Sequence, residues 1–409
     1  MYCVVVGAQW GDEGKGKIVD FLAKKAKTVV RFSGGANAGH TIVTDEETYK
    51  LHLVPSGVVY PKKKVVLGSA MVIDPGALFE ELSMLTERGI SWEGRVLISD
   101  RAHLVLPAHK RKDIEIDKNR KRPIGTTGRG IGVTYSFKSS RDGIRIGDMW
   151  DENMLATLEN EDRIFIEKHR EQLQPMIIDL AMYMYKQKDT FTLFEGAQGA
   201  LLDIDIGTYP YVSSGNSAAS GASVGGGIGP RDIDRVLGVF KAYTSRVGNG
   251  PFPSEFTSER DGELEDKVRE LGREYGVTTG RPRRCGYLDL VALKYACMTN
   301  SIDSLVLTHL DVYDTMDEIK VCVAYDYSGE TLHHFPTSTD VLTKCKPIIQ
   351  SFKGWKKEIV HCTDFVQLPE EAKEYIGFIE EYTKTPIDII SVGYDRNQTI
   401  VRREIWTTS

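Results

Sequence analysis

Val4-Val5-Val6-Gly7-Ala8-Gln9-Trp10-Gly11-Asp12-Glu13-Gly14-Lys15-Gly16-Lys17-Ile18-Val19-Asp20-Phe21-Leu22-Ala23 is the stretch on which the fold turns. The three valines have strand composition, and Ile18 to Ala23 opens a helix-like pattern. Strand, glycine-rich turn and helix bring backbone N–H groups and a helix N-terminus to one point, which is how a chain cradles phosphate. Lys15 and Lys17 read as mobile cations for the same anion. The run is not a strict Walker A motif, because Gly14-Lys15 is followed by Gly16 where Ser or Thr would reach Mg²⁺. Asp12-Glu13 inside the loop is the oddity. A carboxylate and a phosphate charge about 4 Å apart repel by roughly 4 kcal/mol at an effective dielectric of about 20. A metal, or a substrate that gives up a proton, has to offset Asp12 if phosphate binds. The plain alternative is a solvated surface turn.

Downstream, Val29-Val30-Arg31-Phe32 reads as a second strand that ends in Ser33-Gly34-Gly35-Ala36-Asn37-Ala38-Gly39-His40-Thr41. Glycines around one Asn and one His allow the backbone to approach a ligand closely.

The chain has 409 residues, of which 41% are hydrophobic, enough for a large core. Its net charge of −6 argues against a general nucleic-acid binder. No apolar run reaches the roughly 18 residues of a membrane span. Met1 leads directly into a strand, with no signal peptide. Cys3, Cys285, Cys297, Cys322, Cys345 and Cys362 form no C-x-x-C pair and read as reduced thiols of a cytoplasmic protein, with zinc unexpected.

Short apolar runs at Val65, Val96, Leu104, Phe191, Leu305, Val321 and Ile387 recur with helical patterns between several of them, such as Pro75 to Arg88. That alternation predicts an α/β fold with a large, mostly parallel central sheet flanked by helices. With the opening motif it becomes a P-loop-like nucleotide-binding architecture with insertions. Glu152 to Lys186 reads as one helical stretch, its Met182-Tyr183-Met184-Tyr185 run as core packing, and Gly262 to Glu274 as a polar helix. Gly225 to Arg231 reads as a mobile turn. No linker divides the chain, so residues 1–409 are expected to form a single domain.

Three further runs carry chemistry. Gly125-Thr126-Thr127-Gly128-Arg129-Gly130 offers N–H groups, hydroxyls and a guanidinium to a phosphate ester. Val277-Thr278-Thr279-Gly280-Arg281-Pro282-Arg283-Arg284 has three arginines in four positions, suited to a small dicarboxylate held bidentately. Leu305 to Asp311 is a strand ending in a carboxylate. One carboxylate accepts both guanine N1–H and the 2-amino group, whereas adenine would leave it unpaired.

Taken together, Gln9 to Lys17 and Asn37 to Thr41 resemble adenylosuccinate synthetases, and the likeness extends from residue 4 to about 403. The resemblance implies GTP-dependent ligation of IMP and L-aspartate to adenylosuccinate through 6-phosphoryl-IMP, the first committed step from IMP to AMP. It assigns Asp12 and His40 to catalysis. GTP would be held by Gly11, Asp12, Glu13, Gly14, Lys15, Gly16, Lys17, Gly39, His40, Thr41, Arg283, His309, Leu310, Asp311, Ser391, Val392 and Gly393. IMP would meet Asp12, Glu13, Gly14, Lys15, Asn37, Ala38, Gly39, His40, Thr127, Gln198, Ser213 and Arg281. Aspartate would meet Val277, Thr278, Thr279, Gly280, Arg281, Pro282 and Arg283. One Mg²⁺ per subunit would sit on Asp12 and Gly39, with GTP as co-substrate. A homodimer is implied, with Arg141 reaching the neighbouring subunit's IMP phosphate, and neither nucleic acid nor membrane is a partner. The chain departs from frequent family residues at Ser213 (usually Thr), His309 (often Lys) and Tyr394 (often Pro). A regulatory GTP switch would not need the 125–130 and 277–284 loops, and a basic structural protein does not fit the acidic charge.

Overall fold

The computed structural model describes residues 1–43, 47–121, 126–246, 248–275 and 282–407. Val4, Val5 and Val6 lie in a fully buried strand, β1 (Tyr2–Gly7), near the middle of an eleven-stranded sheet. From one edge the order runs Thr399–Val401, Ile387–Ser391, Ser304–Thr308, Arg235–Lys241, β1, Thr192–Gly199, Thr28–Gly34, Lys64–Ile73, Val96–Ser99 and Ile177–Ile178. His103–Leu104 also pairs with Lys64–Ile73. Every pairing is parallel except that of Ile387–Ser391 with Thr399–Val401. Parallel strands need cover on both faces, which is why they read as unbroken apolar runs. Two large clusters of buried side chains, one holding Val4 and Val6 and the other Val5, fill the two sides of β1.

The C-terminal ends of the strands set the site. β1 turns into helix α1 (Lys15–Ala23), and Thr28–Gly34 runs into the 35–40 loop. Helix α2 (Pro75–Glu87) starts at Asp74, whose carboxylate accepts Gly76 N–H at 3.1 Å. Helices α3 (Pro107–Asn119) and α4 (Ile131–Ser140) flank the 126–130 loop. A smaller four-stranded sheet holds Leu288–Asp289, Glu318–Tyr327, Glu330–Leu332 and Lys346–Lys353.

Three expectations change. The 152–186 stretch breaks into helices Glu152–Leu155, Asn160–Leu173 and Leu180–Lys186, with Ile177–Ile178 joining the sheet edge. Pro175 lies in the break, and Asp179 caps the next helix through Met182 N–H at 3.1 Å. Of the Met and Tyr run there only Met184 is fully buried; Met182 and Tyr185 are exposed. The polar helix spans Ser258–Leu271, beginning earlier and stopping before Glu274. The 225–231 glycines are not a mobile turn: Gly225 and Gly226 end helix Ser220–Gly226, pressed onto the sheet. A Cβ on Gly225 would lie 1.9 Å from the Phe32 carbonyl oxygen, and one on Gly226 2.3 Å from the Phe194 ring.

Candidate active site

The turn after β1 is built around one buried carboxylate. Glu13 Oε1 accepts Gly11 N–H at 2.8 Å and Gln9 N–H at 3.2 Å, and Oε2 meets Lys15 Nζ at 2.6 Å. A side chain on Gly7 would collide with this carboxylate, so a glycine must end the strand. Gly11, Asp12 and Gly14 all have left-handed backbone, φ 89°, 59° and 83°. Asp adopts that region more readily than most residues with a side chain. Thr308 Oγ1 donates to the Glu13 carbonyl at 2.7 Å and ties the turn to the next strand but one.

The two lysines are therefore not loose counter-ions. Lys15 is paired to Glu13 and buried. Lys17 Nζ reaches Ser391 Oγ and the Gly393 carbonyl, both at 2.7 Å, and the Gln398 carbonyl at 3.1 Å. Burial brings the Lys17 ammonium down to about 8, against the pull of Asp311 and Asp395.

His40 begins strand His40–Val43 and is held from behind. Its Nδ1 pairs with Glu195 on the Thr192–Gly199 strand. Glu195 is fully buried and also accepts Ser56 N–H at 2.8 Å and the Ser56 hydroxyl at 2.9 Å. Burial alone would push its pKa up; the His40 ring, Ser56 and the nearby Arg31 more than reverse this and hold it below the usual range. A carboxylate on one ring nitrogen fixes the ring's orientation.

Asp12 faces a different wall. Arg283 Nη2 lies 3.0 Å from Asp12 Oδ2, and Nη1 lies 3.0 Å from Glu274 Oε2. Glu274 is fully buried and also meets Lys241 Nζ and the Tyr243 hydroxyl. Burial opposes its charge, but Lys241 first, and Arg283 with it, bring its pKa down to about 2.

His309, left-handed at φ 56°, sits edge-on to Tyr243 with ring centroids 5.9 Å apart. Burial first, then Lys241, pushes its pKa down to about 3, so the ring is neutral. Two residues on, Asp311 is raised by burial while Lys17 and Arg273 pull the other way. Arg273 stacks over the Tyr394 ring at 4.6 Å beside the same hollow.

Asp113 of α3 organises the phosphate-ester loop. Its carboxylate accepts the Thr126 hydroxyl at 2.9 Å and Gly130 N–H at 2.9 Å. Arg129 donates to the Ala36 carbonyl and joins this loop to the 35–40 loop. Among the described residues, the buried Asn37 Oδ1 has no hydrogen-bond partner.

One cavity of about 810 Å³ unites these pieces. Gly11, Asp12, Gly14, Lys15, Gly16, Lys17, Asn37, Ala38, Gly39, His40 and Thr41 line it. So do Thr127, Gln198, Ser213, Arg283, His309, Asp311, Ser391 and Gly393. Glu13, Leu310 and Val392 lie buried behind its wall, and Pro282 is exposed outside it. Arg141 also lies outside, as the left-handed C-cap of α4. Val277, Thr278, Thr279, Gly280 and Arg281 lie outside the described residues, as do Arg122 to Gly125.

Sequence reasoning missed Glu195, Glu274, Lys241 and Arg246. Arg246 is 1% exposed, donates to Thr208 Oγ1 at 3.1 Å and to the Pro251 carbonyl at 3.0 Å, and stacks on Trp10. Glu195 had a signal, a charged residue directly after the apolar Phe191 to Phe194 run in the same strand. The others had none.

This is the site of an α/β enzyme that binds nucleotide phosphates where parallel strands end. The chain belongs to the adenylosuccinate synthetase family, whose model matches residues 4–400. It is 47% identical to the adenylosuccinate synthetase of Aquifex aeolicus, over 99% of this chain and 98% of that protein. With that of Desulforamulus reducens it shares 45% identity, over 98% of this chain and 99% of that protein. The fully ligated adenylosuccinate synthetase structure from Plasmodium falciparum superposes with a TM-score of 0.92 at 39% identity, covering 98% of this chain and 99% of that one. The succinoaminodeoxyadenylate synthetase of cyanophage S-2L has the same fold, with a TM-score of 0.66 at 19% identity over 98% of this chain and 95% of that one.

Proposed function

We propose that the cavity at the end of β1 is where this chain joins IMP to L-aspartate at the expense of GTP, the ligase reaction of its family in purine biosynthesis. The observation that carries this reading is the single cavity itself. It gathers the glycine turn, His40 with its carboxylate, the Thr127 loop and Asp311 from five distant parts of the sequence.

IMP resists substitution because its C6 oxygen is a poor leaving group. Asp12 takes the N1 proton, and the charge left on O6 attacks the GTP γ-phosphorus. The bond to the β–γ bridging oxygen breaks, and His40, oriented by Glu195, donates to that oxygen as GDP leaves. The aspartate amine then attacks C6 of 6-phosphoryl-IMP and phosphate departs. Lys15 lies at the N-terminus of α1, where the phosphate charge needs offsetting. Arg283 has to release Asp12 first, and a nucleotide phosphate offers it a stronger partner while Glu274 keeps hold of the other side of the guanidinium.

Magnesium fits the donor set. Asp12 and Gly39 both line the cavity and offer hard oxygens, a carboxylate and a carbonyl, and Mg²⁺ takes few protein ligands beside phosphates and water. When bound it spreads and neutralises phosphoryl charge. Asn37, Thr127, Gln198 and Ser213 hold IMP, Asp311 reads guanine, and the 277–283 loop holds aspartate.

The working form is a cytoplasmic homodimer of single-domain subunits. Arg141 is exposed and absent from its own chain's cavity, which supports a role at the neighbouring subunit's site. Strands from both ends of the chain interleave in one sheet, which supports a single domain. All six cysteines are free, and among the described residues no helix is long and apolar enough to cross a membrane.

A coupled assay omitting IMP, GTP, aspartate or Mg²⁺ in turn, and replacing GTP by ATP, tests the reading. Adenylosuccinate formed only with all four components supports it. GTP hydrolysis without IMP or aspartate overturns it.

A further inference from the structure

Arg246 is a charge taken out of water without a counter-charge. Its side chain is 1% exposed, and among the described residues no carboxylate pairs with it; Glu255 nearby is engaged by Arg284. Backbone carbonyls and one hydroxyl hold the guanidinium instead. Nη1 donates to the Pro251 carbonyl at 3.0 Å and to Thr208 Oγ1 at 3.1 Å. Nη2 donates to the Tyr211 carbonyl at 3.1 Å, and Nε to the Asn249 carbonyl at 3.2 Å. The guanidinium carbon lies 5.4 Å from the centre of the Trp10 ring, and the two backbones join in an isolated parallel bridge. Gly250 makes the room: it has φ 117°, and a Cβ there would stand 2.3 Å from Nη2.

An unpaired charge is costly to bury, and an apolar side chain of similar length would fill the space without that cost. What it could not do is tie three segments together. Trp10 belongs to the phosphate turn, residues 208–211 lead into Ser213, and residues 249–251 follow the strand Thr244–Arg246. Each segment lines the active cavity, through Trp10, Tyr211 and Asn249. Thr208 shows how closely they are matched. Its hydroxyl accepts from Trp10 Nε1 at 3.3 Å as well as from Arg246, and has its own hydrogen for the Leu201 or Tyr211 carbonyl. Carbonyls fanned around one plane suit a guanidinium fork; a lysine brings a point charge to a single spot. The GTP side has separate supports. Glu13 and Thr308 fix the phosphate turn, and Lys17 holds the 391–398 loop. None of those ties runs through Arg246.

We propose that Arg246 is a positioning residue for IMP. It sets the turn that carries Ser213 against the phosphate turn, and it touches no reactant, since it does not itself line the cavity. The inference rests on the reading of the cavity as an IMP–aspartate ligase site with Ser213 on the IMP side. Its consequence is selective: loss of the fork loosens IMP and spares GTP.

The test is IMP binding to the full chain by calorimetry, with initial-rate kinetics on the same proteins. Arg246→Met keeps the bulk and removes the donors. It is expected to weaken IMP binding and raise KM for IMP by about 10-fold to 100-fold, while KM for GTP stays within about 3-fold. Arg246→Lys restores the charge without the fork and is expected to fall between Arg246→Met and wild type. Thr208→Val leaves the cation in place and removes only the shared hydroxyl. It is expected to weaken IMP binding by about 3-fold to 10-fold, and it decides the matter if Arg246→Met does not fold. Wild-type IMP affinity in the folded variants, equal losses for IMP and GTP, or a fall in kcat alone overturns the proposal, because Arg246 then only supports the fold. Failure of the ligase reading looks different: wild type itself would bind no IMP, and the proposal would fall with it.

Discussion

Glu195 and Glu274 are both fully buried, and each holds a cavity side chain from behind, but they keep different company. Glu195 carries His40 and two donors from Ser56. Glu274 carries Lys241, Arg283 and the Tyr243 hydroxyl. The partner of Glu195 is an imidazole that faces the cavity. Lys241 and Arg283 flank Glu274, and the carboxylate beside them is held down at about 2. The first arrangement orients a group that moves protons; the second fixes a positive wall opposite Asp12. Chemistry is expected to fail first on the His40 side and stability first on the Glu274 side.

The largest expected effect is on turnover. His40→Ala and Asp12→Ala are each expected to lower kcat by about 10²-fold to 10⁴-fold, the range for a positioned acid or base. Both variants should keep the wild-type circular dichroism spectrum, since Asp12 is 35% exposed and His40 sits at a strand start by the cavity. Near-normal turnover in either variant would break the assignment of the proton-moving side.

Next come the two carboxylates themselves. Glu274→Ala leaves Lys241 and Arg283 without their common partner, and breaking such a buried pair costs about 3–5 kcal/mol. Glu195→Ala costs less, about 1–3 kcal/mol, because the Ser56 donors and the His40 ring lose an acceptor but no pair of cations is stranded. Urea unfolding of both variants checks the order. Equal losses would collapse the contrast between the two carboxylates.

How far the sequence showed this depends on what each residue touches. The parallel sheet was legible because strands buried on both faces read as unbroken runs, as in Val4-Val5-Val6. The phosphate turn was legible because Gly11 and Gly14 meet left-handed backbone close to Asp12. Glu274 was not legible: it lies just past the helix expected to contain it, and its importance comes from Lys241, 33 residues away. Lys15 and Lys17 were misread as mobile because their partners, Glu13 and the 391–398 loop, are set by folding alone. The Gly225-Gly226 pair was read as motion, whereas the missing side chains serve close contact with Phe32 and Phe194.

A smaller effect is expected at Asp311, the proposed guanine reader. Asp311→Asn keeps the shape but replaces a double acceptor by one acceptor and one donor facing guanine. Expected is a loss of about 10-fold to 100-fold in kcat/KM for GTP, with kcat at saturating GTP little changed. An unchanged GTP to ITP preference would remove Asp311 from base reading, because ITP lacks the 2-amino group.

The smallest effect concerns His309, which shares the Glu274 wall with Lys241 and Arg283. Its folded pKa is depressed to about 3 from an ordinary 6.5. Between those values the unfolded chain binds a proton that the folded chain refuses, so stability rises with pH across that window. The contribution is fully present above about 6.5 and is lost as pH falls toward about 3. His309→Asn keeps a side chain that tolerates the left-handed backbone and removes the titration. Unfolding free energies of the two proteins should run parallel above pH 7. Below it the wild type should lose stability faster, by up to one proton's slope, until carboxylates dominate. Identical slopes between pH 6.5 and 5 would mean that the ring is charged in the folded protein. In that case His309 would supply the cation that lysine provides in many relatives, and the Glu274 wall would carry three positive groups instead of two.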